Sequence, residues 1–351
     1  MRRGRDRGKI DRRNMANVSH SNTSAGLSTS RSFAEEVMAE PGGEVLYHCF
    51  SCGTCAAACL VRRVNPDFNP RRILRMVVLG MREEVLSSSV PWLCSSCDIC
   101  YQRCPQDIHI SDLMKAIKNI AIREGYEPPG PIAVVYEELC SGCGICVTAC
   151  PYEAAELATV PTSDEHMVAQ IDRFLCMNCG ICAAVCPSKA ISIEEFSHEK
   201  IAMRMQAGGW FMEKGGQPKI MVFICNWCLQ AEADLAHLDQ FPPNVRVINA
   251  PCTGRMDPSL ILTALREGAD GVLVVGCQPG ECHYQEGNLF ARRRVMTLKP
   301  FLEAMGVSGD RLKLEWISTF ERGKIEKTVE EFAEVVGHLG PNPFNNERRQ
   351  R

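Results

Sequence analysis

The 351-residue chain has no apolar run approaching the ~18 residues that a membrane-spanning helix requires. Its most apolar strand-like core, Val272 to Val275, is far too short. Direct membrane insertion is therefore not expected. No apolar segment follows the basic N-terminal stretch, so a secretory signal peptide is not expected either. No G-x-G-x-x-G follows a strand-like segment, which excludes a dinucleotide or flavin fold of that type. No Ser/His/Asp set and no paired carboxylates stand out. Nothing in the sequence predicts that this chain binds and transforms a substrate by itself.

Cysteine is abundant instead, with 21 residues, an odd number. A secreted protein would pair them as disulfides, but nearly all lie at metal-ligand spacings. Thiols that hold a metal centre must stay reduced, which predicts a cytoplasmic protein. The formal net charge is −3. Residues 1–15 carry Arg2, Arg3, Arg5, Arg7, Lys9, Arg12 and Arg13 against Asp6 and Asp11. The stretch 1–31 reads as a disordered basic tail, with Met15 as an alternative start; an arm for nucleic acid or acidic lipid is the sharper alternative, and no nucleic-acid partner is expected.

One signature, C-x2-C-x2-C-x3-C, occurs four times. The sets are Cys49/Cys52/Cys55/Cys59, Cys94/Cys97/Cys100/Cys104, Cys140/Cys143/Cys146/Cys150 and Cys176/Cys179/Cys182/Cys186. Three thiolates at three-residue spacing can wrap three corners of an iron–sulfur cube. The fourth points away and, in two-cluster ferredoxins, ligates the other cluster. Four [4Fe–4S] clusters are therefore expected, with crossed ligation. One takes Cys140, Cys143, Cys146 and Cys186; another takes Cys176, Cys179, Cys182 and Cys150. By analogy the first region pairs Cys49, Cys52, Cys55 with Cys104, and Cys94, Cys97, Cys100 with Cys59. Zinc sites use isolated CxxC pairs with longer spacers, so zinc is disfavoured. Pro105, Pro151 and Pro187 follow three of the fourth cysteines, whereas Leu60 follows Cys59 and leaves that turn in question. Gly53, Gly142, Gly144 and Gly180 let backbone approach the sulfides.

Five cysteines remain: Cys225, Cys228, Cys252, Cys277 and Cys282. Cys225, Cys252 and Cys277 follow the strand-like MVFI, VINAP and VLVVG. Alternating strands (219–224, 245–249, 271–276, 312–317) and helices predict a parallel sheet, whose carboxyl edge would gather these thiols into one metal site. His283 could ligate or tune that site, or be a second-layer or surface residue. Arg292, Arg293 and Arg294 could grip a phosphate or an acidic partner, or form a solvated helix face. Trp92, Trp227 and Trp316 read as packing residues.

The fold class is multidomain. An α-helical ferredoxin domain (32–127) precedes an α+β two-cluster ferredoxin domain (131–198), a linker (199–217), an α/β parallel-sheet domain (218–340) and a frayed tail (341–351). Asn69-Pro70 should open a helix to Gly80, and Ser111 should cap another ending at Gly125. Short strands are expected at 133–136 and 190–194.

The central region resembles a bacterial two-[4Fe–4S] ferredoxin, with ELCSGCGICVTACP matching RFLCMNCGICAAVCP. The first region resembles HdrC, one of the components of heterodisulfide reductase, through HCFSCGTCAAACL, FNPRRILRMVVLG and WLCSSCDICYQRCP. The last region resembles the delta subunit of methyl-viologen-reducing hydrogenase through FICNWC, APCTGRMDPSLILTALREGADGVLVVGCQPGECHYQEGN and RLKLEWIS. That resemblance implies one [2Fe–2S] cluster held by four of the five C-terminal cysteines. The vicinal Cys-Cys pair of the catalytic component, HdrB, is missing here. Together the resemblances imply a non-catalytic electron-transfer subunit of an oxidoreductase complex. Its partners would be a flavoprotein like HdrA of heterodisulfide reductase, a catalytic protein like HdrB, and a hydrogenase, formate dehydrogenase or other dehydrogenase. The complex could be a flavin-based electron-bifurcating one. Two alternatives are an adaptor for a quinone- or sulfur-compound reductase and a redox-sensing regulator with a nucleic-acid-binding tail.

Overall fold

The computed structural model describes residues 32–59, 61–62, 65–128, 132–159, 166–212, 216–231, 241–318, 321 and 323–344. The expected tail 1–31 and Leu60 lie outside these residues.

The first region is helical. Helices α1 (Phe33–Met38), α2 (Thr54–Ala58), α3 (Pro70–Val78), α4 (Arg82–Leu86), α5 (Ile99–Gln102) and α6 (Ile110–Arg123) enclose one apolar core. Asn69 caps α3 by accepting from the Arg72 N–H, with Pro70 in the first turn. Such a cap contributes ~1 kcal/mol. On α3, Ile73, Leu74 and Val77 turn inward into the same core as Leu113, Met114 and Ile117 of α6. Ser111 does not cap α6: the helix starts one residue earlier, and the Ser111 hydroxyl donates to Asp98 in the second cysteine loop. Gly125, at φ 84°, ends it as expected.

In the central region β1 (Ala133–Val135) pairs antiparallel with β4 (Ile191–Ile193). A second antiparallel pair, β2 (Ala155–Thr159) with β3 (Met167–Ile171), lies outside the strands expected from sequence. Between them sit the short helices α7 (Ile145–Ala149) and α8 (Ile181–Val185).

The last region is a four-stranded parallel sheet in the order β6-β5-β7-β8. Its strands are β5 (Ile220–Cys225), β6 (Val245–Ala250), β7 (Gly271–Cys277) and β8 (Leu312–Ile317). Every residue of β5 and β7 is buried, as continuous apolar strands covered on both faces should be. One face packs on α11 (Pro258–Glu267) and α12 (Gly287–Ala304), the other on α13 (Lys324–His338).

Two boundaries differ from expectation. Residues 199–217 were expected as a linker, but they include most of helix α9 (His198–Gln206), whose Ile201 and Met205 are fully buried in the sheet core. The chain beyond Pro341 was expected to fray, yet Asn342 is fully buried and donates to the Leu265 and Ala269 carbonyls. Both segments carry side chains that the sheet's outer layer needs, which composition alone does not reveal. Among the described residues no helix is long and apolar enough to cross a membrane.

Candidate metal centres

All four cysteine motifs fold the same way locally. The residues flanking the second cysteine are left-handed each time: Ser51 and Gly53, Ser96 and Asp98, Gly142 and Gly144, Asn178 and Gly180. A short helix then begins, carrying the third cysteine in its first turn: Cys55 on α2, Cys100 on α5, Cys146 on α7 and Cys182 on α8. Cys59, Cys150 and Cys186 sit at the C-caps of their helices, in extended backbone. An extended residue after a helical turn projects away from the loop that holds the first three thiols. Three residues past the fourth cysteine, Asp107, Glu153 and Lys189 are left-handed too. The first motif, with Leu60 in place of proline, departs there: Arg62 is helical.

The fourth cysteines consequently reach the neighbouring motif. Cys104 lines one cavity with Cys49, Cys52 and Cys55. Cys186 lines another with Cys140, Cys143 and Cys146. Cys150 lines a third with Cys176, Cys179 and Cys182. Cys59 lies within electrostatic reach of Cys94, Cys97 and Cys100. The structure thus brings together the four sets that crossed ligation requires.

Burial pushes the Cys55 and Cys59 thiols up to about 11 and Cys179 to about 12. Cys100 and Cys182 are raised further, also by burial. Thiols so placed ionise only when a bound cation replaces the proton, as metal ligands do. The donor chemistry fits thiolate-ligated iron.

The five C-terminal cysteines are all buried and divide three and two. Cys225 and Cys277 end the adjacent strands β5 and β7, and Cys228 lies in the first turn of α10 (Asn226–Ala231). Their sulfurs lie within 4.8 Å of one another, with Cys225–Cys277 at 3.8 Å and Cys228–Cys277 at 3.6 Å. Those are edge lengths of a tetrahedral thiolate site, about 3.8 Å for metal–sulfur bonds of about 2.3 Å. Hydrogen bonds from Cys228 and Cys277 draw Cys225 well below the ordinary thiol value. Cys252 and Cys282 are hydrogen-bonded to each other, which raises Cys252 and lowers Cys282. Gly287 leaves room for this pair, since a Cβ there would lie 2.1 Å from the Cys252 sulfur.

His283 is fully buried, which removes the surface alternative. Its Nδ1 lies 3.8 Å from the Cys277 sulfur, and burial lowers its pKa to about 4. Its ring stacks on Trp227 with centroids 4.3 Å apart and planes 5° from parallel. The arginine run divides. Arg294 donates to the Gly254 and Met256 carbonyls, whereas Arg292 and Arg293 are exposed and lie over Trp316 and Phe290.

The second and third regions are locked together beside these centres, which composition did not indicate. Cys179, Cys252 and Cys282 belong to one apolar cluster with Ile181, Tyr152 and Tyr284. Arg255, 2 % exposed, crosses from one region to the other. Its Nε donates to the Phe196 carbonyl and its guanidinium pairs with buried Asp257 at 3.5 Å. Asp257 also receives Lys189 at 3.1 Å and His198 at 3.3 Å.

Comparison with known proteins agrees with this division. Residues 220–340 match the family described as methyl-viologen-reducing hydrogenase, delta subunit. Residues 45–108 and 139–190 each match a 4Fe–4S dicluster domain. The chain is 42% identical over 132 residues to the iron-sulfur subunit of the vhc F420-non-reducing hydrogenase of Methanococcus voltae, covering 37% of this chain and 92% of that protein. The iron-sulfur subunit of the F420-non-reducing hydrogenase of Archaeoglobus profundus is 42% identical over 135 residues, covering 38% and 98%. The HdrA component of the ferredoxin:CoB-CoM heterodisulfide reductase of Methanosarcina mazei is 38% identical over 154 residues, covering 43% of this chain and 19% of that protein. The chain is thus similar to part of an HdrA-like protein itself, which the sequence resemblances place only as a partner. The chain is an iron–sulfur electron-transfer protein, and through residues 220–340 it belongs to the methyl-viologen-reducing hydrogenase delta subunit family, joined to two 4Fe–4S dicluster domains.

Proposed function

We propose that this chain carries electrons between a hydrogenase, formate dehydrogenase or other dehydrogenase and a heterodisulfide-reductase-like complex. The observation that carries this reading is the crossed gathering of all sixteen motif cysteines into four sets, with the five-cysteine centre packed against one of them. The modules are 32–127, 131–198 and 218–340.

In this reading the four sets hold four [4Fe–4S] clusters. Cys252 and Cys282 take one iron of a [2Fe–2S] cluster, and two of Cys225, Cys228 and Cys277 take the other. Bound clusters would each accept and release one electron. The chain's own residues fix the spacing and exclude water. Tyr152 and Tyr284 fill the gap between the Cys179 set and the Cys252 pair, and the Trp227–His283 stack adjoins Cys277. The likeness to hydrogenase iron-sulfur subunits supports a hydrogenase or dehydrogenase on the input side. The likeness to part of HdrA supports a heterodisulfide-reductase-like flavoprotein, with an HdrB-like catalytic protein beyond it. Any flavin would sit on such a partner.

Anaerobic affinity purification from the native cells tests this. Co-elution of a dehydrogenase, a flavoprotein and a protein with vicinal cysteines is the expected result. A lone flavin-free protein after gentle, low-salt handling contradicts it.

A further inference from the structure

Among the twenty-one cysteines, two are exposed: Cys52 and Cys143. They occupy the same place, the second cysteine of the leading motif in each dicluster region. The other set of each region is more enclosed. Electron tunnelling falls steeply with distance, so these two edges offer a redox partner the most open approach to the ferredoxin-like clusters.

The surroundings of the two edges differ in charge. The exposed aromatic Phe50 lines the Cys52 cavity, and exposed Tyr47 precedes Cys49 in the chain. Helix α3 runs past the same cavity with Arg71 in its lining. Arg75 lies one turn further on that side, Arg72 is adjacent, and Arg103 precedes Cys104. All four arginines are exposed, and among the described residues none pairs with a carboxylate. Asp107 is the exposed acid nearest to Cys104 in sequence.

Beside Cys143 the exposed apolar residues are Leu139, Ile145 and Met167. Glu137 and Glu138 occupy the exposed turn that leads into Cys140, and neither joins an ion pair among the described residues. The cation closest in sequence to this cavity, Lys189, is already held by Asp257. Apolar patches rimmed by an excess of charge of one sign are features of association surfaces, where charge steers encounter and rejects wrong partners.

We propose that the chain sorts its redox partners by charge: the Cys143 edge docks a protein with a basic rim, and the Cys52 edge docks one with an acidic rim. This rests on the electron-transfer reading above and goes beyond it by assigning each edge its own partner chemistry. Opposite rims would keep one partner from occupying both edges and short-circuiting the chain.

A matched pair of acceptors tests the proposal: cytochrome c, a basic haem protein, and its succinylated, acidic form. Both are mixed with the reduced, cluster-loaded full-length chain in a stopped-flow instrument at low and high salt. Glu137→Lys with Glu138→Lys should slow reduction of native cytochrome c about tenfold at low salt and leave the succinylated form no slower. Arg72→Glu with Arg75→Glu should do the reverse. High salt should erase both differences. Cluster absorbance confirms each variant's loading, and Glu137→Gln with Glu138→Gln gives a milder version should the reversal load poorly. Rates indifferent to both reversals, with both acceptors still reduced, overturn the charge sorting and leave the electron-transfer reading standing. Reduction of neither acceptor by the wild-type chain would instead overturn that reading.

Discussion

Cys186 lines the cavity of Cys140, the first cysteine of the preceding motif, rather than that of its own. The cause is local. Cys186 is the C-cap of α8, in extended backbone at φ −71°, ψ 114°, so it leaves the loop that holds Cys176, Cys179 and Cys182. Cys150 makes the reciprocal exchange.

This exchange predicts which cluster each substitution removes. Cys186→Ala should abolish the centre built on Cys140, Cys143 and Cys146 while the Cys176 set survives. Cys150→Ala should do the opposite. Electron paramagnetic resonance of the reduced variants, paired with Cys143→Ala and Cys179→Ala as references, reads the outcome. Loss of the same signal in Cys186→Ala and Cys179→Ala contradicts the crossing.

The three-and-two division of the C-terminal cysteines gives a second expectation. If Cys252 and Cys282 hold one iron as proposed, replacing either should remove the two-iron signal. On the proposed reading one of Cys225, Cys228 and Cys277 is spare, so one of the three single alanine variants should keep that signal. Visible absorbance and iron content of each variant check this. Retention of the signal without Cys252 or Cys282, or its loss in all three of the others, goes against the division.

The joint between the second and third regions should be sterically brittle. At Gly180, φ is +79° and a Cβ would lie 2.7 Å from the Arg255 side chain. Arg255 cannot retreat freely, being buried and bonded to Phe196 and Asp257. Gly180→Ala should cost ~1–3 kcal/mol, combining left-handed strain with overpacking. A lowered thermal midpoint of the loaded chain is expected. Gly280→Ala, at φ +88° with nothing within 4 Å, carries only the strain and serves as the control. Equal losses from the two changes would argue against close packing at the joint.

The same joint should loosen in acid. Burial lowers His198 below its ordinary 6.5, although Asp257 opposes the shift. For Asp257, burial acts upward, but the Ser259 hydrogen bond and the charges of His198 and Lys189 outweigh it, so the carboxyl falls below 3.8. Both groups bind protons more readily when unfolded. Their contribution is therefore present above the unfolded pKa and lost as pH falls through the folded one. In the range from pH 8 to pH 5 His198 dominates. His198→Gln should flatten the decline of the thermal midpoint across that range, and parallel declines would contradict the assignment.

The cysteine spacings were legible because cluster ligation is set within a few residues of chain. The parallel sheet was legible because β5 and β7 are unbroken apolar runs between helical segments. The grouping of Cys225 with Cys228 and Cys277, apart from Cys252 and Cys282, was not legible. It depends on the register that sets Cys225 and Cys277 at the ends of neighbouring strands and on where the Cys252 turn lands. Arg255 was invisible for the same reason: nothing in an isolated TGRMD segment says that its guanidinium will be buried against another region. The basic character of Arg292, Arg293 and Arg294 read as one unit, but helical rotation points Arg294 inward to the Gly254 and Met256 carbonyls. Residues 199–217 misled through their glycines, which follow a well-formed helix instead of replacing it.

The most direct test of the account is Mössbauer spectroscopy with iron quantification on the anaerobically prepared full-length chain. The account predicts about 18 irons per chain, mostly as [4Fe–4S] with a minor [2Fe–2S] component. An iron content near 8 after full reconstitution, or zinc in place of the two-iron component, would contradict it.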